Sequence, residues 1–334
     1  MAPVHLVAAP DSFRGTAAAA DVAAAVARAA KAAGWTADEV PLADGGEGTL
    51  EVLGGPNRAT TVTGPLGDAV AASWRFAGRL AVVEMARASG LELVGGPQGN
   101  DPIAATSSGT GELIAAAVDA GCRRIVVGVG GSASTDGGLG AVRALEPLAR
   151  LRGVELVVAC DVRTRFVDAA PVFAPQKGAS AAQVELLRRR LERLADVYLH
   201  NYGVDVRALE GSGAAGGLAG GLAVAGARLV PGFDLVADEV DLHDRLEGAD
   251  LVVTGEGFLD EQSFEGKVVG GVAGLAAGAG VPVLAVVGRV LDGVAVPDGV
   301  EVVSLVDTVG EERAVGDTAA VVEEVVARRL RLPG

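Results

Sequence analysis

The sequence predicts an α/β protein in which a parallel-sheet domain is interrupted by an inserted mixed α/β domain. Three observations predict it. Short apolar runs repeatedly end in an acidic residue beside glycine, serine, proline or cysteine. Strand, loop and helix patterns alternate at both ends of the chain. Between the ends that alternation gives way to short strand-like runs joined by tight turns. At 334 residues the chain also exceeds one ordinary core, because single cores stop growing near about 250–300 residues.

The elements follow in order. A strand-like run over 4–9 leads through PDSFRGT into an alanine-rich helix from about Ala17 to Ala33. Asp21, Arg28 and Lys31 mark its solvent side and Gly34 stops it. A strand near 36–42 delivers the loop DGGEGT, and a short helix follows. This is βαβ grammar, which implies parallel pairing in a Rossmann/flavodoxin-like sheet. From about Thr60, ATTVTGPLGDAVAASWRFAG and RLAVVEMA read as short strands with Gly-Pro and Gly-Arg turns, favouring antiparallel pairing. TSSGTGELIAAAVDAG reads as a loop capping a helix that stops at Gly121. RIVVGVGG is a strand, STDGGLGAVRALEPLARL a loop and helix, and VELVVACDV a strand. Residues 181–199 form a charged amphipathic helix, and GSGAAGGLAGGLAVAG a Gly/Ala helix start suited to close packing. From Asp250 the first grammar returns in ADLVVTGEG, GKVVGGVAGLAAGAG, VPVLAVVG and VEVVSLV, closing on a helix over 316–331. The expected domains are 1–60 plus 245–334, discontinuous, and 61–244, the insert.

Composition excludes several function classes. The formal charge of −15 and pI near 4.7 repel nucleic acid and anionic membranes. A phosphorylated ligand therefore needs a locally positive pocket. Arginines number 25 against three lysines, and two of those lysines, Lys177 in PQKGAS and Lys267 in FEGKVVGG, sit beside glycine in loops. A compact ammonium on a flexible stem suits a phosphate approached by backbone. Cys122 and Cys160 in a chain whose start lacks a basic leader predict a reduced, cytoplasmic setting. Residues 268–288 hold 21 residues without a charge, but six glycines and Pro282 make them helix, turn and strand rather than a membrane span.

The acidic strand ends are the chemistry-bearing feature. VHLVAAPDSFRG carries Asp11, EVPLADGGEGT carries Asp44 and Glu47, IVVGVGGSASTDGG carries Asp136, LVVACDV carries Asp161, and LVVTGEG carries Glu256. In open α/β sheets ligands bind outside the carboxyl ends of the strands. Hard cations take carboxylate oxygens and anions take amide nests, so magnesium and phosphate chemistry fits this pattern. TSSGTGE at 106–112 offers amides and hydroxyls at a helix start, either as an anion site or as an ordinary cap. GGSASTDGG at 130–138 is glycine-dense enough to wrap phosphate oxygens, with Asp136 placed to hold a metal or accept a proton.

Other motifs carry less. GSGAAG at 211–216 matches GxGxxG but follows VDVRALE, a poor strand, so helix packing is the better reading than dinucleotide binding. A Walker A loop is absent, because Glu261 stands where its first glycine belongs. His5, His200 and His243 lie outside glycine-rich loops, which argues against a catalytic triad or a histidine metal site. Cys160 reads as a buried small residue.

Together, APDSFRGT, PLADGGEGT, GPLGD, VEMARASGLELV, TSSGTGELI, GVGGSASTDGG, ACDV, FAPQKGA, GSGAAGGLAGG and TGEGFLDEQSFEGKV resemble, in this order, the bacterial type I glycerate kinase family. The resemblance runs from residue 8 to about 290. It implies an ATP- and Mg²⁺-dependent kinase that phosphorylates D-glycerate, with 2-phosphoglycerate favoured over 3-phosphoglycerate. It also implies two α/β domains with the active site in the cleft between them. The chain departs from the family pattern at Arg14, where lysine is usual, and at Thr135, where asparagine is usual. Thr164-Arg165-Phe166 replace Asn-Pro-Leu, Phe258 replaces arginine, and the stretch from Gly140 to Val154 is shorter. A lost cation at Phe258 and a lost amide at Thr164 bear on the acceptor pocket. A kinase of another small hydroxy acid, or a non-catalytic binding protein, are the alternatives these departures leave open.

The expected roles follow from that resemblance. Asp11, Asp44 and Asp161 are candidates for holding the metal or accepting the hydroxyl proton, with Asp44 and Asp161 the metal ligands and Glu256 a further catalytic acid. Arg14, Glu47 and Lys267 are expected at the substrate. Ser107, Ser108, Gly109 and Thr110, with Gly130, Gly131, Ser132, Asp136 and Lys177, are expected at the nucleotide phosphates. The expected partners are glycerate and a nucleotide, with no nucleic acid or membrane, in a monomer or homodimer.

Overall fold

The computed structural model describes residues 4–13, 15–264 and 266–331. The chain begins with β1 (His5–Ala8), the Ala19–Ala32 helix and β2 (Thr36–Glu39). It continues through β3 (Arg58–Thr63), β4 (Ala69–Ala77), β5 (Leu80–Glu84), β6 (Arg124–Gly128), β7 (Glu155–Cys160) and β8 (Arg228–Pro231). It then forms β9 (Leu251–Thr254), β10 (Phe258–Leu259), β11 (Val283–Val287), β12 (Arg289–Val290) and β13 (Val300–Ser304). Backbone proximity divides it into two units, one up to Asp44 and from Phe233 onward, the other Gly45–Gly232.

The first unit is built on a five-stranded sheet ordered β13-β11-β9-β1-β2, all pairs parallel. Numbered within the unit this is the doubly wound order 2-1-3-4-5, with its switch point between β1 and β9. Side chains alternate across a strand, and β11 shows it directly. Leu284 and Val286 join the core under the helices Ala19–Ala32 and Thr318–Leu330. Ala285 and Val287 face the opposite cluster with Val269 of the Val268–Ala279 helix. Both faces are covered, as an all-parallel sheet requires. The long uncharged stretch is this helix, a turn at Gly280 with φ +71°, and β11. No helix of the described residues is long and apolar enough to cross a membrane.

The second unit holds a six-stranded mixed sheet, β3-β4-β5-β6-β7-β8. The β3–β4 and β4–β5 pairs are antiparallel; β5 through β8 are parallel. Val83, Ile125, Val127, Leu156 and Val158 point to one face, where helices Ser108–Asp119 and Ala214–Val224 supply Leu113, Ile114, Leu218 and Leu222. Burying each such side chain fully stabilises by about 1.5–3 kcal/mol. The Ala181–Tyr202 helix starts on a capping box, Ser180 with Gln183, and ends at Gly203 with φ +73°.

The division falls at 44/45 and 232/233, whereas the sequence pattern places the boundaries at 60/61 and 244/245. The cause is packing that periodicity does not report. A Cβ on Gly45 would lie 2.8 Å from Ala159 Cβ and from Gly232 Cα, so the DGGEG backbone rests on the end of β7. Phe233 lies directly against Gly271 of the first unit. The strand β8 has a mostly half-exposed pattern with no clear apolar signal, and the sequence reading does not contain it.

Candidate active site

In the first unit, three segments meet at the carboxyl ends of β1, β2 and β9. Pro10 follows β1, and its carbonyl accepts from the Leu42 amide at 2.9 Å. The Asp11 amide donates to Gly255 O at 2.9 Å. Asp11, Asp44 and Glu256 thus gather where the strand order reverses, close enough that the Asp44 and Glu256 charges both act on Asp11. Burial, then the Asp44 charge, pushes the Asp11 carboxyl up to about 7; the Ser12 amide, 2.6 Å from Oδ1, opposes the rise. Burial also raises Glu256, against the Ser263 hydroxyl and the Lys267 ammonium. Glu256 Oε1 is buried with no hydrogen-bond partner among the described residues. Such an orphaned acceptor costs about 1–3 kcal/mol or more. Lys267 is the N-cap of the Val268–Ala279 helix, half-buried and near this cluster. Arg14 lies outside the described residues.

In the second unit the glycine-rich loops also sit at strand ends. Gly128 ends β6, and a Cβ there would lie 2.9 Å from Gly45 O. A Cβ on Gly130 would lie 3.2 Å from Gly46 Cα. The Gly45–Glu47 backbone and the 128–130 backbone therefore touch, with Glu47 and Gly131 exposed. Asp161 follows β7 and is exposed. The short Thr49–Val52 helix has Gly48 as its N-cap and no side-chain cap. Its Leu50 amide instead donates to Glu84 Oε1 at 2.8 Å. Glu84 is 2% exposed; it ends the apolar run LAVVE, an acid at a strand end like the others, and the candidate residues omit it.

Three expectations are corrected here. The start of the Ser108–Asp119 helix is filled by the protein itself, not left open to phosphate. Asp136 Oδ2 accepts from the Ser107 amide and hydroxyl, both at 2.9 Å, and from the Gly140 amide at 3.2 Å, while Oδ1 accepts from Gly138 at 3.0 Å. The Ser108 amide donates to Thr106 Oγ1 at 3.2 Å, and the Thr110 hydroxyl is paired with Ser89 at 2.9 Å. Gly109 is packed against the carbonyls of Thr63 and Ala88. Asp136 therefore closes this helix end through Oδ2, with Oδ1 accepting a single bond from Gly138. Lys177 is 3% exposed, and its Nζ donates to Ser132 Oγ and Ser134 O, each at 2.6 Å. Burial lowers its pKa to about 7, opposed by the Asp136 charge. It braces the 130–136 loop from inside instead of reaching outward.

Other features resolve as packing. GSGAAG is a kinked helix start with left-handed Ala215, Gly216 and Gly217, and a Cβ on Gly217 would lie 2.8 Å from Gly137 Cα. Phe166 is fully buried against the ring of Tyr198, centroids 6.0 Å apart. Burial, then Asp161, pushes the Cys160 thiol up to about 12, which makes it inert as a nucleophile. Among the described residues no group of three or more His, Cys, Asp or Glu side chains is gathered as a metal cage.

Comparison with known proteins gives a consistent result. The chain matches the Glycerate kinase family over residues 6–149 and 146–332. It is 39% identical to the glycerate 2-kinase of Escherichia coli K12, with 88% of this chain and 87% of that one covered. It is 40% identical to the glycerate kinase of Bacillus subtilis 168, covering 86% and 85%. The crystal structure of a protein designated glycerate kinase 2 of Salmonella typhimurium LT2 superposes with a TM-score of 0.83 at 37% identity, covering 98% of each chain.

Proposed function

The chain belongs to the glycerate kinase family, and from this we propose that it transfers the γ-phosphoryl group of ATP to D-glycerate, giving 2-phosphoglycerate in preference to 3-phosphoglycerate. The observation that carries the reading is the acid cluster Asp11, Asp44 and Glu256 at the switch point of the parallel sheet. Phosphoryl transfer needs alignment, charge neutralisation and one group to orient the acceptor hydroxyl. The substrate hydroxyl oxygen bonds to the γ-phosphorus, the bond to the bridging β,γ-oxygen breaks, and ADP departs. Asp11, which lies among the three acids, takes the hydroxyl proton. Lys267 pairs with the substrate carboxylate or with a phosphate. The backbone of half-buried Gly130 and exposed Gly131 approaches the nucleotide phosphates, and Glu47 and Asp161 complete the polar rim of the second unit.

A divalent cation fits the donor set. Carboxylates held together, with a buried orphaned oxygen on Glu256, suit a hard cation. Magnesium binds through one or two carboxylates plus phosphate oxygens, so no three-residue cage is required. Asp44 in the first unit, or Asp161 in the second, would hold it. When bound, magnesium neutralises charge developing on the β- and γ-phosphate oxygens.

The test is ADP release from ATP with a panel of small hydroxy acids, with the product identified by ³¹P NMR. D-glycerate is expected to be fastest, with the signal of the 2-phosphate ester, and chelation of divalent cations is expected to stop the reaction. No ADP release with any hydroxy acid at millimolar concentration overturns the reading. Phe258 is 60% exposed where the family carries an arginine. If another acid outruns D-glycerate, this residue is the first place to look.

A further inference from the structure

We propose that the adenine ring of the nucleotide sits in an apolar cavity of the second unit, between residues 102–105 and the Ala181–Tyr202 helix. The proposal rests on the kinase reading above for its choice of ligand. The cavity has a volume of about 400 Å³, within the usual range of about 300–1,000 Å³ for small-molecule sites. Ile103, Leu139, Leu191 and Leu194 are among its walls.

Its floor is polar and incomplete. Thr135 lines the cavity, is 2% exposed, and its Oγ1 has no hydrogen-bond partner among the described residues. An unpaired buried hydroxyl is unfavourable, and a turn of the Thr135 side chain that brings Oγ1 from its closed position to a ligand atom removes that cost. Beside it lies Asp136, whose Oδ2 accepts three hydrogen bonds and whose Oδ1 accepts one, from Gly138. A carboxylate oxygen has room for a second donor. The floor thus offers one hydroxyl, able to donate, next to one remaining acceptor. Adenine presents an exocyclic amino donor beside a ring-nitrogen acceptor, whereas guanine presents two acceptors on the corresponding edge. The carboxylate would repel the guanine oxygen, so the floor selects adenine.

The wall and the loop support the same occupant. Arg190 and Arg193 line the cavity in a chain of net charge −15, and a guanidinium stacks favourably on an aromatic face. Arg190 Nη1 donates to Ile103 O at 3.0 Å, which braces the wall. The loop that supplies Thr135 and Asp136 begins at Gly130, where it touches the Gly46 backbone. One loop therefore joins the cavity to the glycine-rich strand ends, as base and phosphates of one nucleotide require.

The experiment uses the full chain and two variants. Val197 lines the cavity and is 44% exposed, so Val197→Trp can fill the space from its rim without opening the core. Affinity for ATP is read by titration with a fluorescent N-methylanthraniloyl ATP, alongside KM for ATP and for glycerate. Val197→Trp is expected to weaken ATP by about tenfold or more, equivalent to about 1.4 kcal/mol, while kcat and the glycerate KM stay within about twofold of the parent, since only the base contact is lost. Thr135→Val is expected to narrow the preference for ATP over GTP. Unchanged ATP affinity in a folded Val197→Trp protein overturns the proposal. If that variant does not fold, photolabelling of the parent chain with 8-azido-ATP decides: label within 100–105 or 187–197 supports the site, and label elsewhere overturns it. A parent that binds ATP, loses it on Val197→Trp, and yet phosphorylates no hydroxy acid would keep the cavity and refute the kinase reading alone. A parent that binds no ATP refutes the adenine site.

Discussion

Asp136 accepts hydrogen bonds from both the amide and the hydroxyl of Ser107, each at 2.9 Å. The positive end of the Ser108–Asp119 helix is thereby neutralised by a carboxylate 29 residues further along the chain. A helix start rich in Ser, Thr and Gly attracts an anion because its first amides lack partners and the helix dipole favours negative charge. Here the chain provides that anion. The same contact holds the loop of 130–138 in place, since Asp136 also binds the amides of Gly138 and Gly140.

Replacing Asp136 with asparagine keeps the shape but removes the charge and turns an amide nitrogen toward donors. Hydrogen bonds to a charged acceptor contribute about 1.5–3 kcal/mol. The Asp136→Asn protein is expected to lose about 2–3 kcal/mol, or roughly 5–10 °C in Tm at about 2–4 °C per kcal/mol. Thermal unfolding followed by circular dichroism measures this. A Tm within a degree of the parent would show that the carboxylate is not what closes the helix.

Asp44→Asn separates chemistry from capping. The short helix after Asp44 is capped at Gly48 without any side chain, and Glu84 satisfies its Leu50 amide. Asp44 is thus not its cap, and the asparagine variant is expected to fold normally. Under the proposed role it loses at least about 100-fold in turnover, the low end of acid–base contributions. Normal turnover in a folded Asp44→Asn enzyme removes Asp44 from the reaction.

Asp11 makes a signed pH prediction. Its carboxyl is raised from 3.8 to about 7 in the folded chain, chiefly by burial and then by Asp44. Between those two values the unfolded chain is the one that has released its proton, so folding becomes less favourable as pH rises. Above about pH 7 the penalty is complete. Asp11→Asn is therefore expected to raise Tm at pH 8, measured without nucleotide and with a chelator present, and to change it little at pH 4. Equal Tm differences at the two pH values would contradict the burial of this charge.

The legible parts of the molecule were those with a local period or a local breaker. The βαβ alternation at both ends, the antiparallel hairpins between Thr60 and Glu84, and the helix–turn–strand over 268–288 appear as read. Asp11, Asp44 and Glu256 lie near one another because acids placed directly after strands of one parallel sheet share its carboxyl edge. Lys177 misleads, because a lysine beside glycine in a loop looks exposed, and only the fold reveals its Nζ closed in by Ser132 and Ser134. Glu84 escaped notice because its amide partner, Leu50, lies 34 residues away.

Taken alone, the sequence determined the mixed α/β class with parallel sheets, the main helix and strand types, and the family, since these depend on periodicity, glycine placement and ordered short motifs. The tertiary structure decided which polar groups remain open to a ligand. Lys177 carries the right chemistry for a phosphate site, yet its Nζ is spent on Ser132 and Ser134, and Asp136 Oδ2 is spent on Ser107 and Gly140. Thr135, a departure from the family pattern, is instead left with an unpaired hydroxyl at the floor of a cavity. A side chain's chemistry is a property of its type. Its availability is set by which distant backbone amides and carbonyls the fold brings within about 3 Å, and no local pattern encodes that distance.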